Sequence, residues 1–280
     1  MFLKLMYITN DIEIAKIAQK YEVDRIWIDL EQMGKEERQK GLNTVKSNHT
    51  ITDITKLRPV LDKSELLVRI NPINSNSEEE INQVIAAGAD IIMLPMWKTL
   101  EEVKQFLAYI DGRVKTILLL ETREAVDCVD DVLEYGGFQE IHIGLNDLHL
   151  SYKMDFMFEL LANGLVEKLC NKFKNYSIEY GFGGIAKIGD GLLPAEKIIM
   201  EHYRMGSTRA ILSRTFCDNA RIHDYAEIDR VFNLNMKKLK EYEMKVEEFS
   251  LNELEKNKND VKKMVTEIVS EIKEKKNGNK

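Results

Sequence analysis

One pattern constrains this chain more than any other, and it is repeated eight times. A short apolar run rich in β-branched residues is followed by a stretch whose apolar residues recur at helical spacing. The runs at 3–8, 25–30, 66–70, 90–94, 115–120, 140–143, 180–185 and 209–212 read as strands. Helical patterns near 11–20, 53–62, 78–87, 99–109, 123–134, 156–175 and 194–205 fill the gaps between them. Strands that are apolar on both faces imply a parallel sheet covered by helices. Eight such units match an α/β fold of the (β/α)8 type, the TIM barrel. A doubly wound open sheet fits less well. It usually has fewer strands, and its dinucleotide-binding form places GxGxxG after the first strand. Here that strand runs out into Thr9-Asn10-Asp11, without a glycine.

The pattern changes near residue 222. Ile228, Phe232, Met236, Leu239, Tyr242, Val246 and Phe249 are spaced by three or four in a highly charged, proline-free stretch. After a break at residues 250–252, Val261, Met264, Val265, Ile268, Val269 and Ile272 repeat the stripe. The sequence therefore predicts a barrel domain over 1–221 and two added amphipathic helices over 222–280. Those helices either pack on their own barrel or on a second copy in a homo-oligomer. The second is favoured, because a finished barrel has little apolar surface left to offer. With 44% apolar and 31% charged residues, the composition is that of a soluble globular chain, and no apolar run is long enough to span a membrane. A net charge of −7 argues against a general nucleic-acid binder. Three scattered cysteines suit a reducing compartment, and the first residues carry no signal-peptide cleavage pattern. A cytoplasmic location is expected.

In a barrel of this kind, chemistry sits at the C-terminal ends of the strands. Asp29 and Glu31 end the second strand, Arg69 the third, Glu121 the fifth, and Gly144-Leu145-Asn146-Asp147 the sixth. Gly183-Gly184 lies on the seventh. Glu121 and Asp147 stand one repeat apart. Two oxygen ligands completed by water and substrate are what Mg²⁺ or Mn²⁺ prefers. Alternatively, Glu121 pairs with an arginine and Asp147 caps a helix. Arg69 is placed to grip a carboxylate through two parallel hydrogen bonds, or to pair structurally with Glu31 or Asp29. A metal, an arginine and loop amides at Gly144, Asn146, Gly183 and Gly184 would together receive a 2-oxo acid and stabilise its enolate.

These residues have relatives. Leu118-Leu-Leu-Glu-Thr-Arg-Glu-Ala125 followed by Ile143-Gly-Leu-Asn-Asp-Leu148 resembles the paired metal motifs of the HpcH/HpaI aldolase and citrate lyase family. Val23-Asp-Arg-Ile-Trp-Ile-Asp-Leu-Glu31, Leu67-Val-Arg69, Gly88-Ala-Asp-Ile-Ile-Met-Leu-Pro-Met96 and Gly183-Gly184 follow in matching order, over roughly residues 20 to 216. The resemblance implies a pyruvate/phosphoenolpyruvate-type barrel, Mg²⁺ or Mn²⁺ on Glu121 and Asp147, Arg69 on the 2-oxo acid, and oligomers built with C-terminal helices.

The departures are informative. Where the family has an acidic residue and then histidine after the second strand, this chain has Glu31 and then Gln32, which cannot transfer a proton. Ala86 stands where an aspartate is expected to support that histidine. An arginine-glycine loop between strands four and five is missing, and a glycine-proline is Gly144-Leu145. Another group must then move the proton. The long polar segment 31–50 carries Lys35, Arg38, Lys40, Asn48 and His49, and a long loop at this face is more often functional than not. His49 is the first candidate, with Glu31 beside it, and His149 the second. The expected function is a metal-dependent carbon–carbon lyase of aldolase type, joining or releasing a pyruvate-like 2-oxo acid and an aldehyde or acyl partner. The alternatives are an acyl-CoA lyase of the citrate lyase β type and a non-catalytic metabolite-binding or scaffold barrel. Glu121, Asp147 and Arg69 found as an ion pair buried away from solvent would support the last.

Overall fold

The computed structural model describes residues 2–34, 47–217 and 222–278. Its strands are β1 (Lys4–Ile8), β2 (Arg25–Asp29), β3 (Glu65–Arg69), β4 (Ile91–Leu94), β5 (Lys115–Leu120), β6 (Glu140–Ile143), β7 (Glu179–Ile185) and β8 (Arg209–Leu212). They close into a barrel in sequence order, the (β/α)8 architecture expected. The described helices are α1 (Ile12–Lys20), α2 (Ile51–Leu57), α3 (Ser77–Ala86), α4 (Leu100–Ile110), α5 (Arg123–Asp127), α6 (Val129–Tyr135), α7 (Leu145–Ser151), α8 (Glu159–Ala162), α9 (Leu165–Asn175), α10 (Ala195–Met205), α11 (Tyr225–Glu247) and α12 (Leu251–Gly278). Two compact units make up the chain, residues 5–141 and residues 1–4 with 142–280.

In the first unit, β1 to β5 form a continuous parallel ladder. β2 and β4 are buried at every position, as strands covered on both faces must be. The connecting helices begin where capping residues put them. Asp11 accepts the backbone N–H groups of Glu13 and Ile14 to start α1, and Thr99 with Glu102 forms a capping box on α4. The helix expected over 53–62 stops at Leu57 and tightens into a 3₁₀ turn, Arg58–Val60, because Pro59 has no N–H to continue the ladder. The helix expected over 123–134 is two short ones separated at Cys128.

In the second unit, β7 pairs with β8 through a bulge between Gly181 and Gly184. A side chain at Gly181 would meet the Arg209 carbonyl and the His142 ring, so only glycine fits there. The helix expected over 156–175 is split by Gly164, whose φ of +83° is left-handed.

The two tail helices form as expected, and each buries an apolar stripe against its own chain. Ile228, Phe232, Met236, Leu239 and Val246 of α11, and Leu254, Val261 and Val265 of α12, are buried within the chain itself. Polar contacts fix the docking. Glu243 accepts the Leu3 N–H at 2.8 Å and the Tyr203 hydroxyl at 3.2 Å. Asn257, itself buried, donates to the Lys197 carbonyl at 3.0 Å and to Glu201 at 2.9 Å. Lys197–Asp260 and Lys258–Glu167 are both 2.8 Å ion pairs, and Lys276 reaches Asp155 at 2.6 Å. The outer helices of the barrel, with their polar edges, offer this seat.

Candidate active site

Successive side chains of a strand face opposite sides, and the β2–β3 register pairs Arg25 with Glu65, Trp27 with Leu67 and Asp29 with Arg69. Arg25 bonds Glu140 on β6, a strand that is not its neighbour, so this face looks into the barrel. Two charged layers occupy it, one at each end of the same strands. At the N-terminal end, Arg25 holds Glu140 through both Nη atoms, at 2.7 and 2.6 Å, and Glu65 through Nε at 3.0 Å. Lys115 completes this floor by pairing with Glu65. Burial opposes the charge on Arg25, but the bond to Glu140 and its charge outweigh that, and the guanidinium is held above its usual range.

At the C-terminal end, Asp29 accepts from Arg69 Nε at 2.8 Å and from Nη2 at 2.9 Å, and Glu31 lies 3.2 Å from Nη2. Asp29, Glu31 and Glu121 are all buried. Burial alone would lower the proton affinity of Arg69. The charges of Asp29, Glu31 and, more weakly, Glu121 raise its affinity for the proton instead. The Arg69 guanidinium also lies over the Trp27 ring, 5.2 Å from its centre. Glu121 is held by its own surroundings. Its Oε1 accepts the Met96 N–H at 3.1 Å, and Met96 has a φ of +55°, an unfavourable conformation for a side-chain-bearing residue. The next residue, Thr122, bonds the Trp97 carbonyl at 2.8 Å, so the ends of β4 and β5 are tied together.

The segment after β2 is pinned as well. The Asn71 side-chain Oδ1 accepts the N–H groups of Gln32 and Met33, and its Nδ2 donates to Glu80 at 2.8 Å. Gln32 is exposed. Lys35, Arg38 and Lys40 lie outside the described residues. His49 is buried, and its Nδ1 accepts the backbone N–H of Asp29 at 3.0 Å.

Arg69, Glu31, Glu121 and His49 therefore belong to one region, and of the two readings of Arg69 the ion pair is the one seen. Asp29 takes Nε and Nη2, so a two-point grip by that edge on a substrate is closed and Nη1 is the nitrogen left to bind. Trp27 and Asn71 were not anticipated. The signal for Trp27 was its place in the alternation between Arg25 and Asp29.

The remaining candidates lie in the second unit. The stretch expected to offer loop amides is the first turn of α7, which follows β6 directly after Gly144. Asn146 is exposed and Asp147 half-buried. His149 is buried and its Nδ1 donates to the Leu145 carbonyl at 3.2 Å, a bond within its own helix. Gly183 accepts from His142 Nε2 at 3.1 Å, and a side chain there would collide with Leu145, so packing already explains that glycine. Gly184 is half-buried beside the Ile211 carbonyl.

The sequence profile for HpcH/HpaI aldolase/citrate lyase matches residues 4–156, more than half of the chain. The chain belongs to this family. Solved structures similar in fold include an HpcH/HpaI aldolase from Desulfitobacterium hafniense DCB-2, at 14% identity and a TM-score of 0.60 over 76% of this chain and 86% of that one. An HpcH/HpaI aldolase/citrate lyase family protein from Burkholderia cenocepacia J2315 gives 12%, 0.61, 81% and 95%. The citrate synthase SbnG gives 15%, 0.58, 86% and 94%. No curated protein sequence matches. At these identities the structures speak for the fold, and the profile speaks for the family. No helix among the described residues is long and apolar enough to cross a membrane.

Proposed function

We propose that this chain is a divalent-metal-dependent carbon–carbon lyase of aldolase type, acting on a pyruvate-like 2-oxo acid through its enolate. The observation that carries this reading is the buried cluster at the ends of β2, β3 and β5, where Asp29 fixes Arg69 and leaves Nη1 for a carboxylate. A guanidinium held rigid before the substrate arrives loses less freedom on binding it.

Among the described residues no three His, Cys, Asp or Glu side chains are arranged to hold a metal. Mg²⁺ and Mn²⁺ ask for less, one or two carboxylates with water and substrate completing the shell. The donor chemistry fits. Glu121 is a buried hard-oxygen ligand at a strand end, and Asp147 is the second ligand that the family resemblance names. An ion held by them would polarise the keto oxygen and stabilise negative charge developing there. The protein's own part is to bind the carboxylate at Arg69, exclude water and take the C3 proton. As the C3–H bond breaks, its electron pair forms the C2=C3 bond of the enolate, and Glu31 is the carboxylate at the end of β2 that would accept the proton.

The test is Mn²⁺ titration followed by assay of Glu121→Ala and Asp147→Ala. The expected outcome is loss of metal binding and turnover with the fold intact, and turnover retained in either variant would contradict the metal assignment. A second reading, a non-catalytic metabolite-binding barrel, draws on the same ion pair, since Arg69 and Asp29 are buried against each other. A wild-type chain that binds neither Mn²⁺ nor any 2-oxo acid would favour it.

A further inference from the structure

Glu31 lies two residues past the end of β2, and both peptide groups beside it are held by side chains. On one side its own N–H donates to Asp29 Oδ1 at 3.2 Å. On the other, the Gln32 N–H donates to Asn71 Oδ1 at 3.0 Å, and the Met33 N–H reaches the same atom at 3.1 Å. Asp29 is paired in register with Arg69, and Asn71 stands two residues beyond Arg69 in the chain.

The Asn71 amide can be oriented in one way only. Backbone N–H groups donate and a carboxylate accepts, so Oδ1 faces residues 32 and 33 and Nδ2 faces Glu80. Nδ2 donates to Glu80 Oε1 at 2.8 Å, and the Asn71 backbone N–H lies 3.2 Å from that oxygen and 3.4 Å from Oε2. Glu80 belongs to α3, and the loop that joins Asn71 to α3 is closed on itself. Asn74 donates its N–H to Ser77 Oγ at 2.9 Å and its Nδ2 to the Pro72 carbonyl at 2.8 Å. Asn71 is therefore a fixed post.

What rests on that post is the direction of one carboxylate. A residue whose two flanking peptide planes are held has its Cα–Cβ bond held too. The Glu31 carboxylate lies 3.2 Å from Arg69 Nη2, and Asp29 fixes the same guanidinium at Nε and Nη2. Glu31 is buried, whereas Gln32 and Met33 are exposed, so the Asn71 bonds stand where the chain passes from the interior to the surface. Water can replace Oδ1 as acceptor at exposed amides, so these bonds add little to stability. Water cannot fix where the amides sit.

We propose that Asn71, held by Glu80, is a positioning residue that keeps Glu31 beside Arg69, in the place from which a carboxylate takes the C3 proton. The chemistry rests on the enolate reading; the coupling of Asn71 to Glu31 does not.

Three measurements on the full chain test this: pyruvate C3-proton exchange with Mg²⁺, oxalate affinity with Mg²⁺, and crystal structures of wild type and Asn71→Leu. Asn71→Leu keeps the size and removes both the acceptor and the donor. Its exchange rate at saturating pyruvate should fall about tenfold or more, while oxalate affinity stays within about threefold of wild type. Asn71→Asp keeps an acceptor for both N–H groups but sets a second carboxylate against Glu80, and a similar loss is expected. Adding Glu80→Gln returns a donor to the new carboxylate, and exchange should recover to within about threefold of wild type. The Asn71→Leu structure should show the Glu31 carboxylate out of reach of Arg69. A merely structural Asn71 would lower the unfolding free energy in urea and leave exchange by the folded variants unchanged, which overturns the proposal. So does oxalate affinity lost in step with exchange, failure of the Glu80→Gln rescue, or Glu31 still in contact with Arg69 in Asn71→Leu. Wild type that shows no exchange would fail the lyase reading, and the two structures would still decide the positioning role: Glu31 displaced upholds it, Glu31 in place overturns it.

Discussion

The two charged layers of residues 5–141 are built on the same strands, four residues apart along β2 and β3, and they have opposite characters. In the floor, two cations meet two carboxylates, and the Arg25–Glu140 bond is bidentate and buried. In the upper layer, the described members are three carboxylates and one guanidinium, with a histidine and a left-handed methionine among the contacts. A balanced, closed cluster makes demands only on the fold. The upper layer stands at the C-terminal ends of the strands, the face on which barrels of this kind carry their chemistry, and Asp29 fixes its arginine along one edge. Burial and charge alone do not separate a structural site from a functional one; the end of the barrel and the edge left on the guanidinium do.

Breaking the floor should cost the most stability. Glu140→Gln puts an amide N–H₂ against the Arg25 Nη groups and leaves a buried guanidinium half-satisfied, so a loss of about 3–5 kcal/mol in urea unfolding is expected. A loss under 1 kcal/mol would mean the floor is solvated and the contrast false. Replacing both partners, as Arg25→Met with Glu140→Leu, should recover most of that loss, to within about 2 kcal/mol of wild type, because an apolar pair of similar volume removes the unpaired charge. Glu65 gives a smaller effect with a definite pH sign. Burial raises its pKa, but Lys115 and Arg25 outweigh it and hold the carboxylate below its usual range. Its contribution is therefore present above the unfolded carboxylate range near pH 4.5 and lost as the pH falls through the lower folded value. Because Glu65 is partly exposed, its share should stay under about 1 kcal/mol. Comparing stability between pH 3 and 6 in wild type and Glu65→Gln checks it, and a parallel pair of profiles would count against the pairing. The smallest stability change belongs to the upper layer. In Glu121→Gln the amide oxygen still accepts the Met96 N–H, so the unfolding free energy should move by less than about 1 kcal/mol while Mn²⁺ affinity falls sharply.

The barrel was legible in the sequence because strands covered on both faces leave continuous apolar runs, and every expected strand lies within a residue or two of its place. The helices were legible where capping residues stood, at Asp11, Thr99 and the Ser250–Glu253 start of α12. They were misjudged where a local break intervened, at Pro59, Cys128 and Gly164. α7 was read as loop because only seven residues separate Gly144 from Tyr152, too few to display a period. The upper cluster was named nearly in full, since strand ends are predictable once the strands are. The floor was not, because Arg25 and Glu140 are 115 residues apart and nothing local marks a charge that faces inward. The polar anchors of the tail helices were not legible for a related reason, Glu243 and Asn257 reaching Leu3, Lys197 and Glu201 far along the chain.

The claim on which the rest depends is that the upper layer stabilises an enolate. The most direct measurement is NMR of pyruvate C3-proton exchange into D₂O, with Mg²⁺ or Mn²⁺ and then with EDTA, in wild type and in Glu121→Gln. Exchange that requires the metal and vanishes in the folded variant is the predicted result. Exchange that persists in EDTA or in Glu121→Gln, or no exchange with pyruvate or 2-oxobutyrate under any metal, would contradict it.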